Sequence, residues 1–182
     1  MNKQPILNRA SEEGEWTGRT MTGYAYRYNR PSRVSDDAFI TNYFEEITKG
    51  ADLKTLTERS EFPLYKFHNR ASEPLGTVTF AHSDDEQALM FEALVDRGAE
   101  GDRLLTDEEW RDVSVSFTPI RNAHRTTEYH GRITQRVEIR LEELSLAPNG
   151  TGLSKGAEVL AVRAQGQSTP RLDVVRRKLL FL

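Results

Sequence analysis

The chain has 182 residues, of which 37% are hydrophobic and 29% are charged, and it carries a formal net charge of −3. This length predicts one domain of ordinary size, and the composition excludes a disordered chain. The negative net charge argues against a nucleic-acid-binding protein. No apolar run is long enough for a transmembrane helix, which argues against a membrane protein. The absence of Cys excludes disulfides and thiol catalysis.

The charges are unevenly distributed along the chain. The segment Asp84–Asp112 has eleven acidic residues and three Arg, whereas the segment from Arg163 to Leu182 has five basic residues and one Asp. An acidic middle and a basic C-terminal segment favour protein partners or self-contact over binding to a polyanion. The first sixteen residues lack the hydrophobic core of a signal peptide, so we do not expect secretion by that route.

Apolar and alternating segments predict about seven strands. The first is Thr20–Tyr28, where three tyrosines alternate with small or polar residues. The other predicted strands span residues 61–68, 75–81, 88–95, 113–120, 133–146 and 156–164. Residues 38–56 are ambiguous, because Phe39, Tyr43, Phe44 and Ile47 have helix-like spacing but Gly50 interrupts the pattern.

Two helices are predicted outside the strands. Thr106 and Glu109 have the spacing of a capping box, which predicts a short helix running to Asp112. Residues 168–182 predict an amphipathic helix with the apolar stripe Leu172, Val175, Leu179 and Leu182. We therefore predict an α+β fold: a mostly antiparallel barrel of about seven strands with peripheral helices, formed by residues 20–164, between an N-terminal extension (1–19) and a basic C-terminal helix or tail (165–182).

The residue types that could perform chemistry are few. The chain has four His and no Cys, and it lacks the HExxH, glycine-rich phosphate-loop and GxSxG patterns. No spacing of the His residues supports a metal site. The remaining candidate chemistry is a hydroxyl nucleophile served by a His base and a carboxylate.

One strand offers candidate nucleophiles. Alternation places Val113, Val115 and Phe117 on one face of the strand, and Ser114 and Ser116 on the other. On this pattern alone, serines that cover the wet face of a half-buried strand are a sufficient interpretation. His68, at the end of an aromatic strand, is likewise explained by a structural role unless other residues join it.

A second strand contains a change of phase. Its apolar positions include Ile139 and Leu141, and then switch to Leu144 and Leu146. This one-residue slip predicts a β-bulge at Glu142-Glu143. A bulge can re-aim a side chain beside an active site, but it also serves to curve a barrel strand, and the pattern leaves both interpretations open.

Five blocks of sequence point to a known family. In chain order they are Gly23-Tyr24-Ala25, residues 44–51 (FEEITKGA), Phe67-His68-Asn69 followed by Pro74-Leu75-Gly76, Ser114-Val115-Ser116-Phe117, and residues 141–148 (LEELSLAP). In this order and spacing, the chain from about Gly23 to Arg163 resembles the prohead (capsid-maturation) serine proteases of tailed bacteriophages, which share their fold with the herpesvirus assemblins. The chain departs from the family pattern at Asn69, where Asp is usual, and at Ser116, where Gly is usual.

The resemblance implies a catalytic triad. Ser114 would be the nucleophile, His68 the general base and acid, and Glu143 the carboxylate that holds the imidazole. By analogy with assemblins, the oxyanion would be bound by backbone in the loop around Asn149 and Gly150. Ser116 is grouped with these two as a candidate substrate or oxyanion residue; its side chain beside Ser114 would narrow the cleft or offer a rival hydroxyl. The resemblance implies no metal or other cofactor, and His82, His124 and His130 are expected to be exposed loop or turn residues.

The resemblance also implies a place in virion assembly. The chain would be a serine endopeptidase that cleaves scaffold or the scaffolding arm of the major capsid protein, and also itself, inside the assembling procapsid in the host cytoplasm. Because assemblins dimerise through a helix, a homodimer or higher oligomer is expected, without nucleic-acid or membrane partners. The alternatives are a non-catalytic structural or scaffold-associated relative of the same fold, and a plain β-barrel binding module.

Overall fold

The computed structural model describes residues 18–36, 41–151 and 157–163. Within these residues the chain forms nine strands and two helices. They are β1 (Thr20–Arg27), β2 (Ser32–Asp36), β3 (Thr41–Ile47), α1 (Leu53–Glu58), β4 (Phe62–Lys66), β5 (Gly76–Ser83), β6 (Ala88–Val95), α2 (Ala99–Thr106), β7 (Asp112–Thr127), β8 (Gly131–Ala147) and β9 (Glu158–Arg163). Within these residues, neither helix is long and apolar enough to cross a membrane.

Seven of these strands close a barrel. They follow the order β8-β4-β5-β6-β1-β9-β7, and β7 pairs back with β8. Most neighbours are antiparallel, whereas β4 runs parallel to β8. The hairpin β2-β3 extends the sheet from the barrel, because β3 pairs in parallel with the first half of β8. The predicted α+β barrel is therefore confirmed, with a sheet that is mixed rather than wholly antiparallel.

The barrel interior is the hydrophobic core. Phe62 and Phe80 meet edge to face with their ring centroids 5.0 Å apart, which is the geometry that aromatic pairs prefer. The predicted alternation in β7 is confirmed, since Val113 is fully buried and Val115 and Phe117 pack against the same core. Burial of this apolar surface is the main force that stabilises the closed sheet.

Within the barrel, β1 and β9 approach each other closely at Gly23. A Cβ on Gly23 would come within 2.0 Å of the Glu158 carbonyl oxygen and 2.9 Å of the Val159 Cα. Both contacts are with backbone, which cannot rotate away as the end of a flexible side chain can. Glycine is therefore required here by the close approach of two strands, not by a turn.

Gly23→Ala is expected to destabilise the barrel by about 1–3 kcal/mol or more, because β1 and β9 must separate to admit the methyl group. The change is measured as a lower urea midpoint for the full chain. Thr22→Ala, at the neighbouring position of β1, is the matched control and removes atoms instead of adding them. A Gly23→Ala protein with unchanged stability would contradict the close approach.

A buried polar network includes Tyr26 of β1 and Tyr28 of the turn that follows β1. The hydroxyls of Tyr26 and Tyr28 donate to Asp52 Oδ2 at 2.6 and 3.0 Å, and Asp52 is fully buried. Burial, together with the negative charge of Asp52, raises the pKa of both tyrosines, so both remain protonated donors. His82 Nδ1 lies 2.7 Å from the Tyr28 hydroxyl and completes the network.

The prediction of a helix beginning at Thr106 is wrong, because a helix ends there. The Thr106 hydroxyl donates back to the Asp102 carbonyl in the last turn of α2, and Asp107 Oδ1 accepts the Glu109 N–H in the turn that follows. Helix α2 was not predicted because glycines precede and interrupt it. Glycine is required at position 101 of α2, because a Cβ there would lie only 2.2 Å from the Asp96 carbonyl oxygen.

The ambiguous segment 38–56 contains a strand and the start of a helix. Tyr43, Phe44 and Ile47 belong to β3, although their spacing suggested a helix, and α1 begins after Asp52. The predicted N-terminal extension lies almost wholly outside the described residues, as do the predicted C-terminal helix and its apolar stripe. The boundaries proposed at residues 19, 164 and 165 remain predictions.

Candidate active site

The predicted bulge is present in the long hairpin β7-β8. Ser116 is paired with Glu143, and the next residue of β7, Phe117, is paired with Leu141. Glu142 is therefore the extra residue, which confirms the bulge at Glu142-Glu143. The bulge lets Leu141 and Leu144 both face the core, while Glu143 faces the side of the sheet that carries Ser114 and Ser116.

The candidate base, His68, lies just after the end of β4 and next to β8. β4 runs parallel to β8 up to the pair Lys66 and Leu146, and the Phe67 N–H donates to the Leu146 carbonyl at 3.1 Å. Phe67 and His68 then adopt the left-handed conformation, with φ of 52° and 55°. Two consecutive non-glycine residues in this region are unusual, and such strain often marks a functional site. The left-handed turn reverses the chain, and the His68 ring faces β8 and β7.

The structure brings Ser114, His68 and Glu143 together from three neighbouring strands. Ser114 Oγ lies 2.8 Å from His68 Nε2, and His68 Nδ1 contacts Glu143 Oε1. Ser114 is 6% exposed and Glu143 is 1% exposed, whereas the His68 side chain is 36% exposed. The imidazole thus lies at the surface between a nearly buried hydroxyl and a fully buried carboxylate.

The partners of the imidazole determine its tautomer. A carboxylate only accepts hydrogen bonds, so the proton of neutral His68 resides on Nδ1. Nε2 is then free to accept the Ser114 hydroxyl hydrogen. A hydroxyl aligned on an unprotonated ring nitrogen, with a carboxylate on the opposite nitrogen, is the geometry that activates a serine nucleophile.

Both carboxylate oxygens of Glu143 have a partner. His68 Nδ1 contacts Oε1, and the Ser145 hydroxyl donates to Oε2 at 2.7 Å. Ser145 Oγ also accepts the His68 backbone N–H at 3.0 Å. A buried carboxylate is tolerated only when it is hydrogen-bonded in this way. Ser145 was not predicted as a site residue. It lies two residues after Glu143 in the same strand, and alternation therefore places it on the same face as Glu143.

Ser116 is engaged in a separate network at the rim of the site. Arg70, two residues after His68, donates to Ser116 Oγ at 2.7 Å and pairs with Glu142 Oε2 at 2.6 Å. The Thr118 hydroxyl and the Arg70 guanidinium lower the pKa of Glu142, so this carboxyl stays ionised. The Ser116 hydroxyl is therefore bound to Arg70 rather than to His68, and its role as a substrate or oxyanion residue remains a prediction. Sequence reasoning missed Arg70, because no pattern marks its contacts.

The loop proposed to meet the oxyanion begins beside β7. β8 ends at Ala147, which is paired with Asp112, two residues before Ser114. Asn149 ties this loop to the segment preceding β7: its N–H donates to the Glu109 carbonyl at 2.8 Å, and its Oδ1 accepts the Arg111 N–H at 3.0 Å. The roles of Asn149 and Gly150 as oxyanion donors remain predictions.

The other three His residues are only partly where they were expected. His130 is an exposed turn residue, as predicted. His124 is exposed but lies within β7, which is longer than its predicted limit of residue 120. The prediction is wrong for His82, which belongs to β5 and stacks on Tyr28 with the ring centroids 5.7 Å apart. Within the described ranges, no group of three or more His, Asp or Glu is arranged to hold a metal ion.

Comparison with known proteins gives the family of the chain. The sequence model of the caudovirus prohead serine proteases matches residues 6–170, which is most of the chain and more than the range of about Gly23 to Arg163 for which the resemblance was stated. No curated protein and no solved structure matches the chain. The chain therefore belongs to the caudovirus prohead serine protease family, whose members are hydrolases of capsid maturation.

Proposed function

We propose that the chain is a serine endopeptidase with a Ser114–His68–Glu143 triad. The observation that carries this proposal is the position of His68, with Nε2 2.8 Å from Ser114 Oγ and Nδ1 against the buried Glu143 carboxylate. Membership of a serine protease family supports the same chemistry. A relative that serves only as a structural component would not require a hydroxyl, an imidazole and a carboxylate in this alignment.

The proposed acylation step begins with Ser114. Its Oγ attacks the scissile carbonyl carbon while His68 Nε2 takes the hydroxyl proton, and the carbonyl π electrons move onto oxygen. Glu143 stabilises the imidazolium that forms and holds the ring in place. The tetrahedral intermediate then collapses, the C–N bond breaks, and His68 returns the proton to the leaving amine. Water repeats the sequence on the acyl-enzyme and releases Ser114.

The tetrahedral oxyanion needs fixed N–H donors close to Ser114. The loop after β8 starts beside the N-terminal end of β7, and Gly150 within it adopts a φ of 84°. The Asn149 N–H already donates to Glu109. We therefore propose Gly150, rather than Asn149, as the first position to test for backbone donation to the oxyanion.

The proposed substrates are the proteins of the assembling shell. We propose that the enzyme cleaves scaffold, or the scaffolding arm of the major capsid protein, within the procapsid in the host cytoplasm, and that it also cleaves itself. A homodimer or higher oligomer belongs to the same proposal. Family membership supports the role in capsid maturation, and the acidic segment Asp84–Asp112 supports protein partners.

Co-expression tests this function. The full chain is produced together with the candidate major capsid and scaffold proteins of the same phage, and new termini are located by mass spectrometry. The wild-type chain is expected to generate discrete fragments, and His68→Ala is expected to lose them while remaining folded, because Ser114 then lacks a base. Intact partners with the wild-type chain, or equal cleavage by His68→Ala, would contradict the proposed endopeptidase.

A further inference from the structure

Ser145 occupies the centre of the site, one strand away from both the base and the nucleophile. It is paired with Tyr65 of β4 on one side of β8 and with Ser114 of β7 on the other. It is fully buried, with no exposed surface. A serine in such a position is costly unless its hydroxyl is satisfied, so its two hydrogen bonds are essential features of the site.

The direction of these hydrogen bonds is determined by the partners. Ser145 Oγ accepts the His68 N–H at 3.0 Å, and a backbone N–H can only donate. Glu143 Oε2, 2.7 Å away, can only accept, so the single hydroxyl hydrogen of Ser145 is directed to it. The hydroxyl thus joins the backbone of His68 to the carboxylate that also contacts the His68 side chain.

These contacts form a closed ring of hydrogen bonds. It runs from the His68 N–H to Ser145, from the Ser145 hydroxyl to Glu143, and from Glu143 back to His68 Nδ1. A ring that includes both ends of one residue restrains its backbone and its side-chain torsions together. The restraint acts at an unusual conformation, because His68 has a left-handed φ of 55°, which is uncommon for non-glycine residues.

We propose that Ser145 is a positioning residue of the catalytic site, which holds the Glu143 carboxylate and the His68 backbone in register so that the imidazole stays aligned on Ser114. Ser145 does not touch the reacting atoms, and it acts through His68 and Glu143. The inference rests on the proposed serine endopeptidase function, and it adds a fourth side chain to the triad.

The proposal predicts a loss of reactivity in Ser145→Ala. This variant leaves Glu143 Oε2 and the His68 N–H without their partner, so the imidazole is less well aligned. We expect the full-length variant to react with a fluorophosphonate probe about 10- to 100-fold more slowly than the wild type, the range supported by one hydrogen bond to a charged group. Ser72→Ala, which removes an exposed hydroxyl from the His68 loop, is the matched control and is expected to react at the wild-type rate.

The pH profile of labelling separates positioning from folding. Without the Ser145 hydroxyl, Glu143 loses a hydrogen bond and its contact with His68 Nδ1 is altered. The acidic limb of the pH profile of labelling is therefore expected to move away from its wild-type position. The charged pair Arg70 and Glu142 at the rim is unchanged by the substitution. Loss of folded protein alone would reduce the amount labelled and leave the limb where it is.

Folding is followed by circular dichroism and urea denaturation of each variant. If Ser145→Ala does not fold, Ser145→Cys replaces it, because a thiol is only slightly larger than the hydroxyl and leaves no cavity, but is a weak donor. A folded variant with slower labelling and a shifted limb supports the proposal. Wild-type rate and profile in a folded variant would overturn it, while a wild-type chain that does not react at all would instead overturn the proposed function.

Discussion

Ser114→Ala is expected to lose proteolytic activity by on the order of 10⁶-fold, the loss typical of removing the nucleophile of a serine triad. The fold should be retained, because Ser114 lies on the face of β7 opposite the hydrophobic core and alanine leaves the β7-β8 pairing intact. Cleavage of a co-expressed scaffold or capsid protein measures the loss, and an unchanged urea midpoint verifies the fold.

Ser116→Ala is the informative comparison for Ser114→Ala. Both serines lie on the same face of β7, but the Ser116 hydroxyl accepts from Arg70, whereas the Ser114 hydroxyl faces His68. Ser116→Ala is therefore expected to keep cleaving. Normal processing by Ser114→Ala together with complete loss in Ser116→Ala would assign the nucleophile to the neighbouring hydroxyl and refute the proposed triad.

Glu143→Gln is expected to lower activity by about 10⁴-fold, as replacing the triad carboxylate by an amide does. The neutral amide no longer stabilises imidazolium, and its NH₂ group favours the tautomer with the proton on Nε2, which cannot accept from Ser114. Glu143 is buried, with 1% of its surface exposed, and Gln has nearly the same size, so the substitution leaves no cavity. Steady-state cleavage rates of the purified variant measure the loss.

Glu142→Gln provides the matched control, because the two glutamates are adjacent, but Glu142 is partly exposed at the rim whereas Glu143 is buried against His68. Glu142 contacts Arg70 and Thr118 at the rim, and a partly exposed ion pair contributes little to stability. Its substitution is expected to be close to neutral. Comparable losses in the two variants would contradict the assignment of separate roles to Glu142 and Glu143.

Local patterns in the sequence predicted the strands that matter most for the site. The alternation around Ser114 and the phase slip at Glu142-Glu143 are visible within ten residues of chain, because each reflects one strand with one face against the core. From these patterns alone, however, a structural role explains the serine face and the bulge better than a catalytic role does. The resemblance to the prohead proteases was needed to connect His68, Ser114 and Glu143 before their proximity was known.

Non-local contacts explain the predictions that were wrong. The spacing of Tyr43, Phe44 and Ile47 suits a helix, but the segment pairs with residues 133–136, about ninety positions later, and this pairing makes it a strand. In helix α2, Gly101 is required because the close approach of the Asp96 carbonyl leaves no space for a side chain, a contact that the local sequence does not show. Such contacts override local propensity and leave no trace in the local sequence.

The conformation of the His68 loop is the largest part of the site that the sequence does not predict. Phe67 is not a residue type that favours a positive φ, and no turn-forming glycine accompanies Phe67 and His68. Their conformation depends on hydrogen bonds to Leu146 and Ser145 of β8. The same dependence explains why Ser145 becomes recognisable only when the strands are assembled.

The most direct test of the account is the site of covalent labelling by a fluorophosphonate. The full-length protein is incubated with the probe, digested, and analysed by mass spectrometry to locate the modified residue. The account predicts one adduct, on Ser114, which is absent from His68→Ala and strongly reduced in Glu143→Gln. An adduct on Ser116 or on another residue, or a folded wild-type protein that cleaves its partners without being labelled on Ser114, would contradict it.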